Sequence, residues 1–152
     1  MRTKTWIAAA ALLLPPACAQ LSLGTNEDAN VVRWGTSFGM CAGYCREDLV
    51  VEGTEVTLTR RGWQTTLPTT TAEKPITQTA WRQLVDNIDT DTFRSLQDVY
   101  GCPDCADGGA EYIEIQTDDF TKRVTFEYGK GPEQLQAALQ RLRALRATFP
   151  IE

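Results

Sequence analysis

Polar and apolar residues alternate most cleanly in "EDLVVEGTEVTLTR" (47–60), where Val56 and Leu58 interleave with Thr57 and Thr59. A period of two sends one set of side chains to a buried face and the other to water. Glu52-Gly53 separates two such runs, so a hairpin is expected there. Upstream, "VVRW" reads as the start of a strand that enters the glycine-rich "GTSFGMCAGYC". Downstream, "EYIEIQTDDFTKRVTFEY" predicts a second hairpin turning at Thr117 to Asp119, with Val124, Phe126 and Tyr128 on one face. Thr65 to Pro75, rich in threonine and proline, reads as a surface loop.

Three segments change period. Trp81, Leu84, Val85 and Ile88 recur at helical spacing behind Thr77 or Thr79, either of which can cap. A shorter turn capped by Asp89 or Thr90 offers Phe93 and Leu96 to the core. The last helix opens with Pro132 and Glu133 and ends with Arg141, Arg143 and Arg146, which suits its dipole at both ends. Its buried stripe is Leu135, Leu139 and Leu142, flanked by Ala138 and Leu145, and its arginines are expected on a solvated face. Strands followed by helices, without strict alternation, predict an α+β fold. The expectation is an antiparallel sheet of about four to five strands with two to three helices on one face, in a single domain over 31–152.

Residues 1–19, "MRTKTWIAAAALLLPPACA", have a basic start, an apolar run from Trp6 to Leu14, a proline pair and small residues. That is the pattern of a secretory signal peptide, and the apolar run is too short for a spanning helix of about 20 residues. Ala17-Cys18-Ala19 fits cleavage before Gln20. In a second reading, Cys18 is the lipidated first residue of a bacterial lipoprotein. Residues 20–30 form a short polar tether. The protein is therefore expected to be exported, periplasmic or extracellular, or else lipid-anchored to a bacterial membrane. Removing the leader leaves 13 basic against 20 acidic residues, a net charge of −7. A chain of that sign is a poor partner for nucleic acid, whose affinity comes from lysine and arginine. Membrane contact is expected only through a lipid anchor.

Gly35-Thr-Ser37-Phe-Gly39 matches the nucleophile elbow GxSxG, but the chain has no histidine to take the serine's proton. It reads as a glycine-rich turn leaving a strand. Asp118-Asp119 sits where turn residues are the rule, and Glu111 and Glu114 point to opposite faces of a strand. Trp34, Trp63 and Trp81 read as core and rim aromatics. No catalytic set assembles from acids, thiols or histidines, and no cofactor is expected.

Cys41, Cys45, Cys102 and Cys105 admit several chemistries. In an oxidising compartment an even set reads as two disulfides, with local or crossed pairing. A thiol redox centre at Cys102-Pro-Asp-Cys105 would need a depressed thiol pKa, which Asp104 and Asp107 oppose. Four thiolates from CxxxC and CxxC would also suit a closed zinc site. Asp104, Asp107 and Glu111 could converge on calcium around Gly108-Gly109.

"FGMCAGYC", the "LVVEGTEVTLTR" hairpin, the helix led by threonine and tryptophan, and the closing "VTFEYGKGPEQLQAALQRL" together resemble a small domain of unknown function found in exported bacterial proteins and lipoproteins. The resemblance covers nearly all of the chain beyond the leader. It departs at Arg46, where a proline is usual, and in carrying Cys102 and Cys105. It implies fold and export and no catalytic residue. The expected function is that of an exported, disulfide-stapled, non-enzymatic module binding an unknown protein or envelope component. The alternative is a thiol redox or zinc-binding protein.

Overall fold

The computed structural model describes residues 29–63 and 67–150. The leader, Cys18 and most of the tether lie outside the described residues. Seven strands form one sheet in the order β4-β3-β2-β1-β6-β7-β5. They are β1 (Val31–Ser37), β2 (Tyr44–Glu52), β3 (Glu55–Gly62), β4 (Thr70–Pro75), β5 (Val99–Tyr100), β6 (Ala110–Gln116) and β7 (Thr121–Glu127). Every neighbouring pair is antiparallel except β5 and β7, where Val99 and Tyr100 run parallel to Thr125 and Phe126. The helices are α1 (Gln78–Val85), α2 (Thr90–Ser95) and α3 (Gln136–Arg146).

The expected antiparallel sheet of four to five strands is thus corrected to a mixed sheet of seven. The two additional strands have physical reasons to escape notice. β4 occupies the second half of the supposed surface loop. It is an edge strand with mostly exposed side chains, so "TTAEKP" carries no apolar alternation, and an edge tolerates a proline. β5 is two residues long, too short for any period.

Register explains where the core sits. Val32 stands beside Val51 and Ile115, and Val51 beside Val56. Two residues along, Trp34 stands beside Leu49 and Ile113, Leu49 beside Leu58, and Ile113 beside Val124. These two apolar rows share one sheet face and join Leu84, Val85, Phe93, Leu139 and Leu142 in a single buried cluster. A third row is largely polar: Arg60, Glu47, Thr36, Glu111 and Phe126 follow one another across the strands. It supports the site described below.

Local signals fix the ends. The Thr77 hydroxyl caps α1 by accepting from the Ala80 amide at 3.1 Å, and the Asp89 carboxylate caps α2 by accepting from the Thr92 amide at 2.8 Å. The Thr117 hydroxyl accepts from the amides of Asp119 and Phe120, which closes the second hairpin. Of the expected stripe on α1, Leu84, Val85 and Ile88 are buried, while Trp81 is half-buried against the core. Val124 and Phe126 are fully buried, but Tyr128, expected beside them, lies past the end of β7 and is 50% exposed.

Leu139 has no exposed surface. Leu139→Ala is therefore expected to cost about 2–5 kcal/mol in urea unfolding, as buried leucines do, with a smaller loss for Trp81→Ala. The reverse order would show that α1, not α3, carries the larger share of the packing.

Candidate functional site

Glu111 alternates along β6 with Ile113 and Ile115, so it faces the helices, and its side chain is fully buried. A buried charge is costly unless paired and hydrogen-bonded. Here the carboxylate accepts four hydrogen bonds. Arg143 of α3 donates from Nε at 2.8 Å and from Nη2 at 2.6 Å, the Trp34 indole donates at 2.6 Å, and the Gly129 amide at 3.1 Å. Two strands away in the same row, Arg146 grips Glu47 in the same forked manner, with Nε at 2.6 Å and Nη2 on the other oxygen. The bonds to their carboxylates raise both guanidiniums above the ordinary arginine value, against the opposing effect of burial. The expected solvated arginine face is therefore corrected. Of the three arginines, Arg143 and Arg146 turn to the sheet, and Arg141 is exposed, reaching Gln83 at 3.3 Å.

Between α3 and the polar row opens a cleft of about 460 Å³. Trp34, Thr36 and Glu47 line its sheet side, and Arg143 and Arg146 its helix side. Phe38, Tyr44 and Tyr128 add aromatic walls. The Phe38 and Tyr128 rings meet edge to face, with centroids 5.0 Å apart. The Arg60 guanidinium stacks 5.0 Å from the Tyr44 ring centroid. Thr36 is 8% exposed as a residue and lines the cleft, and its hydroxyl makes no hydrogen bond among the described residues.

The cysteines stand behind these walls. They pair locally, Cys41 with Cys45 and Cys102 with Cys105, with Cα atoms 5.7 and 5.5 Å apart. The Phe38 amide donates to the Cys45 carbonyl at 3.0 Å, and the Gly39 amide to the Asp104 carboxylate at 3.1 Å. The Gly109 carbonyl accepts from both Asp104 and Tyr128 amides at 3.1 Å. Gly109 has φ of 81°, and a Cβ there would collide with the Phe38 ring. Both disulfide loops therefore hold the aromatic side of the cleft.

The proposed metal sets are not brought together. The sulfurs of Cys41, Cys45, Cys102 and Cys105 are all engaged in disulfides, so no four-thiolate zinc shell forms from them. Asp104 is committed to Gly39 in the loop, while strand alternation carries Glu111 into the core on Arg143, so Asp104, Asp107 and Glu111 do not converge on calcium. Among the described residues no group of three or more His, Cys, Asp or Glu is placed to hold a metal ion. Gly35 and Ser37, expected in a turn, belong to β1 itself.

The opposite sheet face carries a separate polar chain. The Tyr112 ring packs over Gly35, where a Cβ would not fit, and its hydroxyl donates to Asp48 at 2.5 Å, which also pairs with Arg61. Arg123 lies 3.9 Å over the Tyr112 ring and binds Glu114 at 2.8 Å, and Arg33 binds the same carboxylate at 3.0 Å. Glu111 and Glu114 do face opposite sides, as expected. Burial, then the bond and the charge of Asp48, raise the Tyr112 phenol well above its ordinary value, and Arg123 opposes them.

No protein-family model matches the chain, and no curated protein matches it. The missed feature is the pairing of Glu111 and Glu47 with α3. A signal for it existed, since both carboxylates fall on the parity of the apolar rows.

Arg143→Met should strand Glu111 as an unpaired buried carboxylate and cost about 3–5 kcal/mol. Adding Glu111→Gln keeps an acceptor for the Trp34 indole and removes the charge, so the double variant should be the more stable of the two. A loss under about 1 kcal/mol in the single variant would show that the pair carries little. For Tyr112, a phenol whose pKa is raised on folding stabilises fully below about pH 10 and loses that contribution as pH climbs toward the folded value. Absorbance titration at alkaline pH should show a late-ionising tyrosine that disappears in Tyr112→Phe. An unchanged titration curve would contradict the burial of this ring.

Proposed function

We propose that the chain is an exported, disulfide-stapled, non-enzymatic module that binds a protein or envelope component through the cleft between α3 and the sheet. The observation that carries this reading is Thr36. Thr36 is a largely buried residue whose hydroxyl makes no hydrogen bond among the described residues, and it lines a cleft walled by aromatics and arginines, where a ligand's acceptor can reach it. Both closed cysteine pairs suit a non-reducing compartment, and the leader-like first 19 residues supply the route. No helix among the described residues is long and apolar enough to cross a membrane. Membrane attachment, in this reading, is confined to the Cys18 alternative.

The experiment starts with the chain expressed with its own leader. The product should begin at Gln20, fractionate as soluble, and take up no alkylating agent without reductant. A detergent-soluble product beginning at Cys18 would move the module to a membrane surface, and four reactive thiols would favour the thiol redox or zinc alternative. The purified product is then challenged with envelope extract. A component retained by the wild type and lost from Tyr128→Ala at unchanged melting temperature supports the cleft as the binding site. Equal retention by both proteins overturns it.

A further inference from the structure

The groups around the cleft are specific about charge. Arg143 and Arg146 are matched by Glu111 and Glu47, but Arg60, on the same row, has no carboxylate partner among the described residues and stacks on Tyr44. Three guanidiniums against two carboxylates leave a single positive excess among these residues, carried by Arg60, which stacks on the cleft-lining Tyr44 without itself lining the cleft. The bonding edges matter equally. Each carboxylate occupies the Nε and Nη2 edge of its arginine, and the Nη1 group of both arginines has no hydrogen-bond partner among the described residues. Residues three apart on a helix are neighbours, so these donors lie on one side of α3, across the cleft from the Thr36 hydroxyl.

We propose that the ligand of the cleft is a monoanionic carboxylate joined to an aromatic group, the chemistry shared by a free aromatic acid and the C-terminal residue of a polypeptide. This rests on the cleft being the binding site. The carboxylate oxygens take the Nη1 donors and the Thr36 hydroxyl, and Arg60 supplies the unmatched charge. The ring enters between Tyr44 and the Phe38–Tyr128 pair, where edge-to-face contact is favoured. A neutral ligand offers these donors only uncharged acceptors, which bind more weakly than a carboxylate, and leaves the Arg60 charge unmatched. A phosphate monoester, with about −1.5 to −2 charges, exceeds the single positive excess and meets the Glu47 carboxylate.

The test uses the oxidised protein, labelled with ¹⁵N, titrated with N-acetyl-phenylalanine, its amide, phenyl phosphate, and a short peptide ending in phenylalanine with a free or amidated terminus. The free carboxylates should shift amides of residues 34–38, 44–47 and 143–147 and bind about tenfold or more tightly than the amides, as a hydrogen bond to a charged group requires. Thr36→Val and Arg60→Gln, which leave both buried pairs intact, should each weaken carboxylate binding several-fold and leave amide binding unchanged. Tighter binding of the peptide than of the free acid assigns the ligand to a chain terminus, and equal binding assigns it to a small acid; both support the proposal. Equal binding of acid and amide, preference for phenyl phosphate, or no perturbation of the cleft overturns it. In those cases the cleft reading stands or falls separately on the Tyr128→Ala result.

Discussion

The ion pair of Glu111 with Arg143 is the constraint around which the rest is arranged. Among the described residues, Glu111 is the one charged side chain that the core encloses completely. Desolvating it is tolerable only because a guanidinium, an indole and a backbone amide converge on its two oxygens. Each of those donors comes from a different part of the chain. The pair therefore does more than neutralise a charge: it sets where α3 lies along the sheet and which way it is rotated. Arg146, three residues on, is carried into reach of Glu47 by the same placement. The cleft is the space left where the two apolar rows give way to the polar one.

The two faces of the sheet show contrasting uses of charge. On the helix side, forked pairs sit under cover, where orientation is fixed and removing one partner is costly. On the open side, Arg33, Glu114, Arg123, Asp48 and Arg61 form a partly exposed series around Tyr112. Ion pairs of that kind contribute about 0–1 kcal/mol each. Their value lies in keeping a broad sheet face polar. The Tyr112 ring, seated on Gly35, is the apolar centre that those charges surround.

What could be read from the sequence was whatever is encoded locally. Thr77 and Asp89 announced their helices because a cap acts within three residues. Both hairpins were visible in alternation and turn chemistry. β4 was not, because an edge strand has one neighbour and little to bury. β5 was not, because it is defined by its partner β7 and not by its own residues. The site lay between these cases. The parity of Glu47 and Glu111 was visible, but the pairing needed Arg143 to turn inward, and a basic helix end is equally consistent with a helix dipole in water. Tyr128 was misplaced by extending a strand period beyond the strand, which ends at Glu127.

The central position of β1 separates covalent closure from folding. One neighbour, β2, follows immediately, but the other, β6, brings Trp34 to Glu111 across 77 residues. Pairing over such a span is slow, because chain entropy is lost before contacts compensate it. The disulfides span only 4 and 3 residues. Neither crosses the gap, so both can close while β1 still waits for β6. A fully oxidised molecule is therefore no guarantee of a native one, and thiol titration alone is a poor assay of whether this protein has folded.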